Sequence, residues 1–199
     1  MTQADALTFF TIGHSSHPKD RFIELLGQHG IEEIVDTRTT PRSGYAPHFN
    51  AEPLSAILEV AGVDYEFMGG PLGGKPHSTQ FYDDDGFVLY GKIAATPEFA
   101  DAIETLISRA NRKTFAVMCG EENPTSCHRR LLVGRVLEDH GATIIHIRGD
   151  GSTVSETELA ESESPPSPQL VMFESDEEDE WKSTQSDSRR KRHPSSSAH

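Results

Sequence analysis

Phe115-Ala116-Val117-Met118-Cys119-Gly120-Glu121-Glu122-Asn123-Pro124-Thr125-Ser126-Cys127-His128-Arg129-Arg130 holds both cysteines of this 199-residue chain. An apolar run ends in Cys119, a polar turn follows, and a helix opens on Cys127-His128-Arg129-Arg130. A strand–loop–helix of this kind sets a thiol at the carboxyl end of the strand. It also brings free helix N-terminal N–H groups and two guanidinium groups beside that thiol, and helix N-termini favour anions and thiolates.

The pattern extends in both directions. Toward the N-terminus, Thr8–Ile12 reads as a strand, and Pro18 opens a helix with Phe22, Leu25 and Leu26 on its apolar face. A second strand runs from Ile31 to Asp36, and Asn50 can cap a helix bearing Leu54, Ile57 and Leu58. Val63–Phe67 is a third strand, and Thr96-Pro97-Glu98 starts a helix through Phe99, Ile103 and Leu106. Thr114–Met118 is the fourth strand. Toward the C-terminus, the Cys-His-Arg helix stops at Gly141, before a fifth strand over Ala142–Ile147. Residues 77–95 read as an insertion that lies over the site. Strand and helix thus alternate, which predicts an α/β fold: a three-layer domain with a mostly parallel five-stranded sheet and helices on both faces. Ligands of such sheets bind outside the carboxyl ends of the strands. His14, Asp36 with Arg38, the loop Gly69–Lys75, and Cys119 with Arg129 each follow a strand, so four loops converge on one edge.

Composition bounds what that edge binds. The net charge is −14. Residues 151–199 carry 11 acidic and 5 basic side chains, which leaves −8 on residues 1–150. A domain this acidic is a poor general binder of nucleic acid backbone, but a local basic pocket can still hold a phosphate. Residues 1–150 are expected to form a single domain. Residues 151–199, with little apolar periodicity, are expected to be a disordered acidic tail ending in a basic run. Two cysteines with seven residues between them do not make a disulfide framework. The N-terminal residues lack the pattern of a signal peptide, and no apolar run approaches membrane-spanning length. The expected place is intracellular, cytoplasmic or nuclear, with no membrane partner.

Each candidate residue has more than one reading. Cys119 is a nucleophile, a metal ligand or a buried thiol. Cys127, at a helix start, is a low-pKa thiol or a packed one. Cys119, Cys127 and His128 could supply three zinc ligands, with His14 or Asp36 as a fourth, but the spacing is not Cys-x-x-Cys and no second pair exists. The reading therefore assigns no metal, and no cofactor is named. Asp36 and His14 are candidate acid–base groups alongside the two cysteines. Arg129 at the helix start, with Arg38 and Arg42 from another loop, forms a candidate anion clamp completed by Gly73, Gly74 and His128. Lys75 follows the glycine pair, without the pattern of a nucleoside-triphosphate loop.

Thr11-Ile12-Gly13-His14-Ser15, Val35-Asp36-Thr37-Arg38 with Pro41-Arg42-Ser43, Phe49-Asn50, Leu72-Gly73-Gly74, and Met118-Cys119-Gly120-Glu121 with Cys127-His128-Arg129 resemble, in order and spacing, the domain of unknown function 488 family. The resemblance covers about residues 8–148. It departs at Thr37, where the family usually has valine. It implies an α/β domain with these motif residues gathered at one site, and no established reaction. The Asp-x-Arg and strand-end cysteine are also similar to rhodanese-like and cysteine-phosphatase sites. Those need a short loop from cysteine to arginine, and Arg129 is ten residues past Cys119.

The expected function is an enzyme acting on an anionic, nucleotide-like substrate at this pocket. The alternatives are a non-catalytic module binding an anion or a nucleic-acid end, and an interaction protein acting through its tail. In that tail, residues 169–180 set an apolar segment before an acidic run, an order similar to small-ubiquitin-like-modifier interaction motifs. Arg189-Arg190-Lys191-Arg192 could serve as a nuclear address.

Overall fold

A computed structural model describes residues 7–163 and 181–190. At its centre is a sheet in the order β3-β2-β5-β1-β6-β7. The strands are β1 (Thr8–Gly13), β2 (Glu33–Asp36), β3 (Asp64–Phe67), β5 (Phe115–Cys119), β6 (Thr143–Ile147) and β7 (Thr153–Ser155). The first five of these pair in parallel, and β7 adds antiparallel to β6. β5 lies between β1 and β2, with Gly13 opposite Cys119 and Asp36 opposite Met118. The chain winds one way from β1 through β2 to β3, then returns to β5 beside β1 and passes on the other way to β6. The thiol therefore sits where the winding reverses, which is where a crevice opens in such sheets.

β5 is buried along its whole length because both its faces are covered. Phe115 and Val117 join the core built with α5 (Pro97–Ala110) and the helix after Cys127. Ala116 and Met118 join the opposite core with α1 (Lys19–Gln28) and α2 (Ala51–Val60). α5 begins as its sequence directs, with Pro97 in the first turn and the Thr96 hydroxyl accepting from Phe99 N. A short helix α3 (Gly69–Leu72) follows β3. The insertion folds as β4 (Phe87–Leu89) and α4 (Tyr90–Ala94). After Cys127 a π-helical turn, Arg129–Gly134, runs into α6 (Arg135–Asp139). None of the described helices is long and apolar enough to cross a membrane.

The sheet has six strands, not the five expected, and ordered structure continues past residue 150. β7 is held by its ladder with β6, and α7 (Glu156–Glu163) is tied down by ion pairs. Arg130 pairs with both Glu156 and Glu163, at 2.7 and 2.8 Å. His146, fully buried, bonds Glu156 at 2.8 Å and Thr11 Oγ1 at 2.7 Å. Leu159 is the one buried residue of α7, so there was little apolar periodicity to read. Residues 181–190 also pack on the domain: β8 (Lys182–Ser186) pairs antiparallel with β4. The modifier-like segment 169–180, and Lys191 and Arg192 of the basic run, lie outside the described residues.

Candidate active site

Backbone hydrogen bonds lock the strand ends together. Thr37 N donates to Met118 O at 3.0 Å, His14 N to Cys119 O at 3.0 Å and Ser15 N to Gly120 O at 2.9 Å. Gly13 is required by this closeness, because a Cβ there would lie 1.8 Å from the Glu121 carbonyl oxygen. Over these ends opens a cavity of about 960 Å³, lined among others by His14, Arg38, Arg42, Gly74, Cys119 and His128. The insertion contributes Tyr82, Val88 and Tyr90 to its wall.

The chemistry centres on Cys119. Its Sγ lies 3.5 Å from His128 Nδ1, and Cys127 Sγ lies 3.9 Å from the same nitrogen. His128 Nε2 is 3.0 Å from the Thr37 carbonyl. A carbonyl only accepts, so Nε2 carries a proton and Nδ1 is left to exchange one with the thiols. The Cys127 S–H bonded to it holds the Cys119 thiol well below the ordinary range, against burial and with the help of the His128 charge. Burial, and then the negative charge on Cys119, push the Cys127 thiol well up. Burial alone would lower the pKa of His128, but the facing Cys119 thiolate outweighs it and raises it. The three shifts act in the direction of a thiolate on Cys119 beside a protonated His128, with Cys127 as the neutral donor. Gly74 packs against the imidazole: a Cβ there would lie 2.4 Å from His128 Cγ. Gly73 is closed in likewise, by the Gly69 carbonyl and the Thr39 hydroxyl. Of the glycine pair, expected to bind substrate, Gly74 packs on His128 and lines the cavity, and Gly73 does not line it.

A second set stands beside the first. Asp36 receives Arg38 in a fork, Nε to Oδ1 at 2.9 Å and Nη2 to Oδ2 at 2.6 Å, and Tyr65 donates to Oδ2 at 2.9 Å. Asp36 is fully buried and does not line the cavity. It positions Arg38 and is not placed to act as a base. Arg38 Nη1 donates to His14 Nε2 at 2.9 Å, and His14 Nδ1 donates to the Ser15 carbonyl at 2.7 Å. Both ring nitrogens of His14 are therefore committed, so it too positions Arg38. Arg38 also lines the cavity.

Burial of His14, and then the Arg38 charge, lower its pKa to about 4. An unfolded histidine titrates at about 6.5, so the unfolded chain takes up the proton first as pH falls. Stability from His14 is present above that value and is lost as pH falls toward about 4. The full difference is up to about 3 kcal/mol. His14→Gln keeps an acceptor for Arg38, and it should flatten this part of the stability–pH curve in urea unfolding. An unchanged slope would place the acid sensitivity elsewhere.

Arg129 is the clear departure from expectation. It is fully buried and does not line the cavity. Its guanidinium bonds the carbonyls of Glu121 and Glu122 and the hydroxyl of Thr11. The helix start points it under the Cys119 loop rather than at the cavity. Arg42 is exposed at the rim. Glu121, missed as a site residue although it sits in the Cys119-Gly120-Glu121 motif, lines the cavity. Burial and the Cys119 charge raise its pKa, which favours the protonated acid beside the thiolate. Lys75 and the C-terminal residues Asp187, Arg189 and Arg190 line the cavity as well.

The ligand atoms of Cys119, Cys127 and His128 lie within 4.8 Å of one another, close enough to share a metal ion. No fourth His, Cys, Asp or Glu joins them among the described residues, which leaves the set one short of a closed structural zinc shell. A family model described as "Domain of unknown function DUF488" matches residues 18–136. No curated protein and no solved structure matches the chain.

Proposed function

Since the chain belongs to the DUF488 family, whose description names no reaction, we propose from the cavity itself that this is a cysteine-dependent enzyme acting on an anionic, nucleotide-like substrate. The observation that carries the reading is His128. Its Nε2 is pinned to the Thr37 carbonyl at 3.0 Å, and its Nδ1 faces Cys119 Sγ at 3.5 Å. Nucleophile, base and orienting group stand in the order that activated cysteines require. Cys119 attacks an electrophilic centre of the bound substrate and becomes covalently attached to it. The leaving group takes a proton from His128 or from Glu121. Arg38, held by Asp36 and His14, faces the negative charge of the substrate or of the transition state. Release of the covalent adduct by water returns the thiolate.

The test uses chelator-treated protein and a panel of small phosphate-bearing compounds, followed by mass spectrometry. Wild-type protein should turn over at least one class of them and carry an acid-stable adduct on the peptide containing Cys119. Cys119→Ser should still bind that compound but lose turnover by on the order of 10³-fold or more. Undiminished turnover in Cys119→Ser would remove the nucleophile. Binding by the wild type without any turnover would replace the enzyme with the anion-binding module.

A further inference from the structure

Trp181–Arg190 takes no part in the thiol chemistry, yet it forms one wall of the cavity. Its seat is specific. Trp181 Nε1 donates to the Leu131 carbonyl in the π-helical turn at 2.8 Å, and the Arg135 guanidinium lies 4.5 Å from the centre of the indole ring. Ser183 is buried, and its hydroxyl accepts from Val88 N at 2.9 Å. These contacts, with the β4–β8 pairing, carry the chain across the cavity mouth and deliver Arg189 and Arg190 to it.

The charges there run against those of the molecule. In a chain of net charge −14, the cavity wall presents Arg38, Arg42, Lys75, Arg189 and Arg190, and its only Asp and Glu side chains among the described residues are Glu121 and Asp187. Asp187 grips Arg189 at 2.9 and 2.7 Å, which fixes that guanidinium in place. Arg190 lies over the Tyr82 ring at 5.3 Å and, with Arg42 and Lys75, has no carboxylate partner among the described residues. The cations therefore fall into two groups, one on the strand-end loops and one on the C-terminal strap. A cavity of about 960 Å³ has room for more than one phosphate group.

We propose that Arg189 and Arg190 form a second anion subsite, so that the ligand is a polyphosphate-type anion with one charged group near Arg38 and another under the strap. This rests on the reading of the cavity as the substrate site. It makes part of the C-terminal segment a binding element in its own right.

The experiment is calorimetric titration of the full chain with inorganic tripolyphosphate at two salt concentrations. Wild-type protein should bind it, with affinity falling as salt rises. The Arg189→Ala/Arg190→Ala double variant should bind about tenfold or more weakly, with a shallower salt dependence and an unchanged thermal midpoint in the absence of anion. Equal affinity in the double variant, or no binding by wild type, would overturn the subsite. Repeating the titrations in a Cys119→Ser background keeps the two proposals separate. The strap's contribution should persist there, whatever the fate of the nucleophile.

Discussion

Arg129→Ala should destabilise the protein by about 3–5 kcal/mol, the range for breaking a buried charged hydrogen-bond set. Arg129 is the largest fully buried side chain in the molecule. Its Nη2 reaches the Glu122 carbonyl at 2.6 Å, a second donor reaches the Glu121 carbonyl, and Nε reaches Thr11 Oγ1 at 3.3 Å. Thr11 in turn bonds His146, and His146 bonds Glu156. Alanine leaves two loop carbonyls buried without donors and opens a cavity where the guanidinium stood. The loop after Cys119 would lose its anchor, so thiol chemistry should fall together with stability. Urea unfolding midpoints measure the first effect directly. Arg129→Lys should recover only part of the loss, since an ammonium cannot serve three fixed acceptors in a fork. An Arg129→Ala protein as stable as wild type, but blind to added phosphate, would return Arg129 to the role of an anion ligand.

Removing His128 should give the largest effect on reactivity. His128→Asn leaves the Cys127 S–H in place but deletes the cation and the second hydrogen bond that help hold the Cys119 thiol down. A depressed thiol pKa is a property of the folded state, so the stability it contributes is present above the unfolded value and is lost as pH falls through the folded one. The raised pKa of His128 works in the opposite sense, and its contribution is lost as pH rises through it. Both shifts favour the ion pair, so iodoacetamide should label Cys119 near neutral pH and leave Cys127, whose thiol is pushed up and buried, unmodified. In His128→Asn, labelling near neutral pH should fall about 10- to 100-fold and recover toward the ordinary thiol pKa of about 8.5. Cys127→Ala, which removes the thiol donor, should move the profile in the same direction. A profile indifferent to both changes would mean that neither residue tunes Cys119.

The alternation of short apolar runs and amphipathic helices was enough to determine the α/β class. It was also enough to place His14, Arg38, Gly74, Cys119 and His128 on one edge. Period and loop position are local properties, and parallel connection does the rest. What the residues do there was a tertiary decision. Arg38 faces the cavity because Asp36 and Tyr65 lie behind it, whereas Arg129, equally placed by the motif, turns inward to satisfy carbonyls that only the folded loop brings near. Gly73 and Gly74 read as part of an anion clamp, and packing sets Gly74 against the His128 imidazole. The sixth strand escaped notice because a backbone ladder holds it, and α7 because Arg130, His146 and Glu156 hold it by a buried polar network, which leaves no periodic trace. The strap carrying Arg189 and Arg190 escaped for a related reason. One tryptophan, one buried serine and a backbone ladder fasten it, and backbone hydrogen bonds have no signature in the order of side chains.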